Sequence, residues 1–452
     1  MWRWRRSLHR KDIDGRLFTE LKRPLGTFQV HAKELPEYRF VDLFRAAERH
    51  AKEVGATVAI ESDHRQEPLS TVLHARAPRW ISRRIGRSEK IAWPVAVDEE
   101  VFLPVDVFWV NAAPLPPRIV RVRHHALQAK SVVEVASPDA SVAEASVREI
   151  IRRSEAASIY RNRVLALRFE PASRDEFGDV EKPERLRVLF APEPSVVEDD
   201  LVMDEAIRQL LWRNVIDLHL RRDVLKAHGV PIRRGVLLHG LPGTGKSFAC
   251  RYLCAMLPET TRIVVAGSAL QQVAAIFALA RLLQPSVVIL EDVDLVFTAR
   301  DINMQGAILG ELLDQMDGLR PHEDVGFVLT TNALERIEAA IKDRPGRISQ
   351  CIHLAAPGSE LRRRYLRHYL TPYSVAQVDL DALVARSDGA TQAFLKDWVH
   401  RAVQIATERL APGGDKLDLT TEDFMIALRE ARSAGDGPNT RIIGFLKEPS
   451  LR

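Results

Sequence analysis

The sequence predicts an α/β protein: a parallel sheet covered by helices, followed by a small all-helical domain and preceded by an α+β region. Three observations carry that prediction. From Gly235 onward, short apolar runs alternate with amphipathic helical runs, the mark of a parallel sheet with helices on its faces. A glycine-rich segment, Gly240 to Ser247, lies between the first apolar run and a helix, the context a phosphate-binding loop requires. Beyond Pro357 and Gly358 the pattern is helical.

Composition sets the limits. A chain of 452 residues, 46% apolar and 28% charged, is that of an ordinary globular protein with about three domains. A net charge of +4 permits an anionic partner without demanding one. Three cysteines, Cys250, Cys254 and Cys351, provide no disulfide framework and point to a reducing, cytoplasmic setting. Cys250 and Cys254 share a helix face and are expected in a core rather than on a metal. The amino terminus is basic but lacks the apolar stretch of a secretory signal. The longest uncharged stretch, Ile263 to Ala280, contains Gly267, Ser268, Gln271 and Gln272 and reads as strand, loop and helix, so no membrane span is expected.

In chain order, residues 1–190 read as an α+β region of one or two subdomains. Phe40 to Val54 has helical spacing and ends at Gly55, and Val142 to Ser158 is a second helix. Glu100 to Asn111 reads as buried strands around Pro104, and 163–169 and 185–190 as two further strands. Pro192 and Pro194, with the acids at 198–200, mark a boundary, so that 191–358 forms the nucleotide-binding α/β domain. A helix is expected over 204–227, then strands at 235–239, 262–266, 286–290, 326–331 and 348–354. A helical lid follows over 359–432, with Ser359 and Thr391 as caps and Thr420 opening the last helix, before a tail over 433–452. The pair His124 and His125 reads as a surface feature without a ligand role.

The chemistry lies in two strings. Gly240, Leu241, Pro242, Gly243, Thr244, Gly245, Lys246 and Ser247 match GxxxxGK[ST] in full, with Phe248 continuing into the helix. Glycines let backbone N–H groups turn in around phosphates, and a helix N-terminus adds positive potential. Lys246 would meet the β- and γ-phosphates of ATP, and the Ser247 hydroxyl would help hold Mg²⁺. Downstream, the apolar run Val287 to Leu290 delivers Glu291 and Asp292 at a strand end, where an ATPase needs a metal-side acid and a water-activating acid.

With these strings in place, the chain from about Val196 to Leu428 resembles the AAA family of P-loop ATPases. The segment 312–319 is similar to the family's helix before its fourth strand. Thr330, Thr331 and Asn332 stand where the family carries its sensor asparagine, and Arg344-Pro345-Gly346-Arg347 is similar to its RPGR string. The resemblance implies that Asn332 positions the attacking water and that Arg344 and Arg347 act on the nucleotide of a neighbouring copy. It implies a homo-oligomeric, hexameric ring with shared sites. Residues 199–202 and the helix opening after 387–392 are expected near the adenine on the same ground.

Departures narrow the resemblance. The usual acidic order is Asp-Glu, whereas here Glu291, on the metal side, precedes Asp292, the base. The mitochondrial inner-membrane AAA translocase for folded Rieske protein shares that reversed order. The loop Gly267 to Ala275 has no aromatic residue of the kind that grips a threaded polypeptide, and no arginine opens the lid helix after Thr391. HExxH and GxSxG strings are absent. The favoured function is an ATP-driven remodeller of a protein client. The alternatives are a nucleic-acid-associated ATPase, suggested by the Trp/Arg-rich amino terminus, and a slow nucleotide-dependent scaffold or switch.

Overall fold

The computed structural model describes residues 13–56, 58–62, 67–74, 89–112, 116–174, 180–197, 200–232, 234–298, 302–320, 322–335, 348–410 and 417–433. It divides into two compact units, Met1–Pro192 and Glu193–Arg452.

The first unit is built on a five-stranded antiparallel sheet in the order Gln29–Pro36, Lys130–Ser137, Arg118–His125, Asp106–Asn111, Val58–Glu61. Its strands are apolar on both faces because both are covered. Val107, Trp109, Val120, Val122, Val133 and Val135 pack against helices Phe40–Glu53 and Ala140–Ala156. The alternate positions Phe108, Val110, Ile119 and Ala136 pack against Leu17, Leu21 and Leu69. Buried Arg121 is compensated within the sheet by both oxygens of Asp106, at 2.8 Å each, and by Glu134 at 3.1 Å. Such a charge is tolerated only when its donors are spent in this way. The strands expected around Pro104 are Glu99–Pro104 and Asp106–Asn111, which pair with different neighbours. His124 is not a surface residue: it is buried, bonded to Glu37 at 2.9 Å and set edge-on to Trp93. The tandem histidines alternate across the strand, so only His125 faces outward.

The second unit contains five parallel strands: β1 (Gly235–His239), β2 (Thr261–Val265), β3 (Ser286–Leu290), β4 (Val325–Thr331) and β5 (Ile348–His353), in the spatial order β2-β3-β4-β1-β5. The near-continuous apolar character of β1 to β4 follows from burial on both faces, whereas β5, at the sheet edge, buries only Ile352. Helices α1 (Lys246–Met256) and α2 (Val273–Leu282) follow β1 and β2, and α3 (Ile302–Asp317) precedes β4. Cys250 and Cys254 are buried on α1 as core residues. The long helix expected over 204–227 is instead interrupted: Glu205–Leu211 runs into a π-helical turn at Trp212–Ile216, then Asp217–Leu220 and Arg222–Ala227. The wide turn accompanies the Trp212 indole N–H bond to Asp217 at 3.2 Å.

The lid comprises α4 (Ser359–Leu370), α5 (Leu380–Arg386), α6 (Gln392–Thr407) and α7 (Thr421–Ser433), packed around Leu366, Phe394, Trp398 and Phe424. Thr391 caps α6 through the Phe394 N–H. Ser359 does not cap α4: Gly358 holds that position with extended backbone and no side-chain bond. Among the described residues no helix is long and apolar enough to cross a membrane.

Candidate nucleotide site

The register of the sheet gathers the site. Leu238 and His239 of β1 lie beside Thr330 and Thr331 of β4, and β3 flanks β4 on its other side. The glycine-rich loop, the acids after β3 and Asn332 after β4 therefore emerge together at the carboxyl end of three adjacent strands, the usual ligand edge of such a sheet.

The loop turns through left-handed backbone at Gly243 (φ 80°) and Gly245 (φ 100°). Glycine is needed there for space as well as for dihedral. A Cβ on Gly243 would stand 2.9 Å from the Thr391 hydroxyl, and one on Gly245 would overlap the Gln392 carboxamide oxygen. The lid rests directly on this loop, with the Ala393 N–H donating to the Gly243 carbonyl at 3.1 Å. Lys246, at the start of α1, donates from Nζ to the carbonyls of Gly240 and Leu241, at 2.7 and 3.0 Å. Burial lowers the pKa of its ammonium, while Asp292 and Asp294 act in the opposite sense. Thr244 closes the turn through its hydroxyl to the Leu241 carbonyl, 2.9 Å, and Leu241 itself is exposed.

The acids are locked to β4. Asp292 sits at φ 48°, its N–H donating to Thr330 Oγ1 at 2.8 Å and its Oδ1 accepting from Asn332 Nδ2 at 3.1 Å. The Asn332 N–H donates to Asp294 Oδ1 at 3.0 Å. The Glu291 carboxyl is pushed above its ordinary range, first by burial and then by Asp292, and a hydrogen bond from Ser247 pulls it back. Ser247 and Glu291 are thus adjacent oxygen donors, a pairing that suits Mg²⁺ bound through one or two protein oxygens with phosphate and water completing the shell. Among the described residues no group of three or more His, Cys, Asp or Glu could hold a metal ion.

Two cavities meet here. A cleft of about 770 Å³ is lined by Lys246, Ser247, Asp292 and Asn332, with Arg251 and Lys396 on its walls. A smaller, largely apolar pocket of about 260 Å³ lies between Leu201, Val202, Phe248, Leu354, Tyr365 and Gln392. Gly245, Phe248 and Gln392 border both. Pro242 and Gly243 line the larger cleft, and Thr244 the smaller. Arg344, Arg347 and Asp199, the last expected near the adenine by resemblance, lie outside the described residues. Sequence reasoning missed that Thr330 and Asp294 accept the backbone N–H groups of Asp292 and Asn332, and it missed the side chains of Tyr365 and Tyr369. The Asp292-Val293-Asp294 spacing was the one local signal for the first pair.

Comparison with known families agrees with this geometry: residues 236–355 match the family described as "ATPase family associated with various cellular activities (AAA)". Residues 236–355 form an AAA domain. Relatives of this AAA domain include a 26S proteasome regulatory subunit 8 homolog from Schizosaccharomyces pombe, 28% identical over 253 residues, covering 52% of this chain and 60% of that protein. A proteasome-activating nucleotidase of Methanosarcina mazei is 30% identical over 251 residues, 52% of this chain and 58% of its own length. One from Aeropyrum pernix is 30% identical over 292 residues, 60% of this chain and 66% of its own. The chain thus spans about three fifths of the curated relatives it matches.

Proposed function

We propose that the chain binds ATP with Mg²⁺ and hydrolyses it, as a ring of identical copies that remodels a protein client. The observation that carries this reading is the convergence of Lys246, Asp292 and Asn332 on one cleft, with Ser247 paired to Glu291 at its floor. Loop amides and α1's N-terminus receive phosphate oxygens, and Lys246 exchanges its carbonyl partners for the β- and γ-phosphates. Ser247, with Glu291 beside it, would hold Mg²⁺, which would supply charge neutralisation to the phosphates. Asp292 takes the proton from the attacking water, and Asn332, tied to that carboxylate, orients the water. The small apolar pocket takes the base.

Ring assembly and a protein client draw their support from the AAA domain and from relatives named for activating proteasomes. In a ring, Arg344 and Arg347 reach the neighbour's nucleotide, a subunit number of six following from the family resemblance. Likeness to the Rieske translocase rests on the Glu-Asp order, the stretches LEDVD, TTNALERIEAAI and RPGRIS, and the short, non-aromatic loop after β2. That order also supports a second reading, a slow switch. Aspartate at 292 is one methylene shorter than glutamate, and its carboxylate is already engaged by Asn332.

The test is phosphate release by the purified full chain with Mg²⁺ and ATP, in parallel with Lys246→Ala. Turnover that disappears in the variant together with nucleotide binding is expected. A variant that retains ATP affinity refutes the phosphate-loop assignment, and tight binding by the parent chain without turnover selects the switch.

A further inference from the structure

The hairpin of strands Lys90–Ala96 and Glu99–Pro104, in the first unit, takes no part in the nucleotide chemistry. It is a two-stranded sheet of its own, turning at Val97 and Asp98, the latter with left-handed backbone at φ 58°. A free ribbon of two strands is marginal in water, and this one is anchored by one face. Trp93 is buried and stacks on Phe40 with ring centroids 4.7 Å apart, and Ile91, Val95, Val101 and Leu103 pack against the same core.

The opposite face is bare. There Phe102 lies across from Ala92, and Glu100 across from Pro94. Phe102 is 65% exposed, the most exposed large apolar side chain among the described residues, and Val97 at the turn is 40% exposed. An aromatic ring held out on an anchored ribbon is suited to bind another chain. The two edges differ. Among the described residues neither strand pairs with any strand but the other, so both edges carry outward N–H and C=O groups. Pro94 removes a donor from the first strand, whereas the second has no proline before Pro104. Residues 99–103 are therefore the edge better able to accept a further strand. Asp98, Glu99 and Glu100 follow one another at the turn, all exposed and without an ion pair among the described residues. Their charge selects a basic partner.

We propose that this hairpin docks an extended segment of a protein client, apolar at alternate positions and basic at its carboxyl end. The segment adds to 99–103 as a third, antiparallel strand, lays its apolar side chains against Phe102, and sets its basic residues against Glu99 and Glu100. This inference rests on the protein-client reading and gives it a point of contact. The loop after β2 has no aromatic residue to hold a polypeptide, whereas the hairpin presents one.

The test is fluorescence anisotropy of the full chain with a short labelled peptide of alternating valine and threonine ending in paired lysines, alongside ATP turnover with and without that peptide. Phe102→Ala is expected to weaken binding about tenfold and to leave peptide-free turnover unchanged. N-methylation of the peptide's ladder-facing amides should abolish binding, because backbone pairing requires them. Glu99→Lys/Glu100→Lys should reverse the preference for this peptide over one ending in paired glutamates, and added salt should narrow both preferences. Binding indifferent to Phe102 or to N-methylation overturns the proposal, as does a parent chain that does not bind the peptide. An oligomer that dissociates on Phe102→Ala overturns it too, because a second copy then covers this face. Turnover stimulated equally by the peptide in parent and Phe102→Ala keeps the client reading and removes the hairpin from it. Binding that is lost with Phe102 while turnover ignores the peptide keeps the docking surface and overturns the client reading instead.

Discussion

At the scale of single residues, the acids and the buried carboxyl of the first unit make the sharpest predictions. Asp292→Asn keeps the backbone bond to Thr330 but removes the proton acceptor, so steady-state turnover should fall by about 10²–10⁴-fold while ATP stays bound. Turnover within a few-fold of the parent chain would place the base elsewhere. Asp42 presents a different case. Buried between its helix and the Ser158–Tyr160 turn, its carboxyl is pushed up to about 6, although Ser158 and the Ile159 N–H both donate to it. The unfolded value is about 4. A carboxyl that holds its proton more tightly when folded contributes stability fully present below about pH 4 and lost as pH rises through 6. Asp42→Asn should therefore raise the melting temperature at pH 7.5, by up to about 3 kcal/mol of stability, and lose that advantage at pH 4. Calorimetry at the two pH values checks this, and equal shifts at both would remove burial of the charge as the cause.

At the scale of elements, one contact ties the interrupted helix to the sheet. His219, fully buried and bonded to the Val215 carbonyl at 2.8 Å, lies so close to Gly326 of β4 that a Cβ there would be 2.6 Å from its ring. Gly326→Ala should cost about 1–3 kcal/mol as overpacking in a central strand, and Gly326→Ala/His219→Ala should recover part of it. Denaturant melts of both variants measure the difference, and additive losses would argue against the contact. This contact also shows what the sequence concealed. Strands β1 to β4 of the second unit could be read because each carries a contiguous apolar run with a turn signal near its end, whereas β5 interleaves polar Ser349 and Gln350 with its apolar residues. The loop, Glu291, Asp292 and Asn332 could be read for the same reason, as local strings at strand ends. The π-helical turn and the seating of His219 on Gly326 could not, because they depend on packing between segments far apart in the chain. Thr330 and Asp294 were hidden likewise: their bonds join residues 38 positions apart, which leave no period to find.

At the scale of the whole molecule, the question is whether one chain suffices. The proposed phosphate cradle, both acids and the proposed sensor lie among the described residues, while the arginines of the RPGR string, proposed to act on a neighbour, lie outside them. Mixing Arg347→Ala chains with Asp292→Asn chains should then restore measurable turnover, because some interfaces unite an intact base with an intact arginine. Failure at every mixing ratio would show self-contained sites. In a ring of identical copies, any peculiarity of one site is repeated at all of them, and the left-handed backbone at Asp292 is such a peculiarity. Aspartate and asparagine enter that region with little penalty, whereas longer side chains pay about 1 kcal/mol or more. A lineage drifting toward glutamate at 292 would incur that strain in every subunit simultaneously, and an exchange with Glu291 would have to pass through Asp-Asp or Glu-Glu on the way. Chain geometry at 292 thus favours the shorter acid independently of any demand made by catalysis.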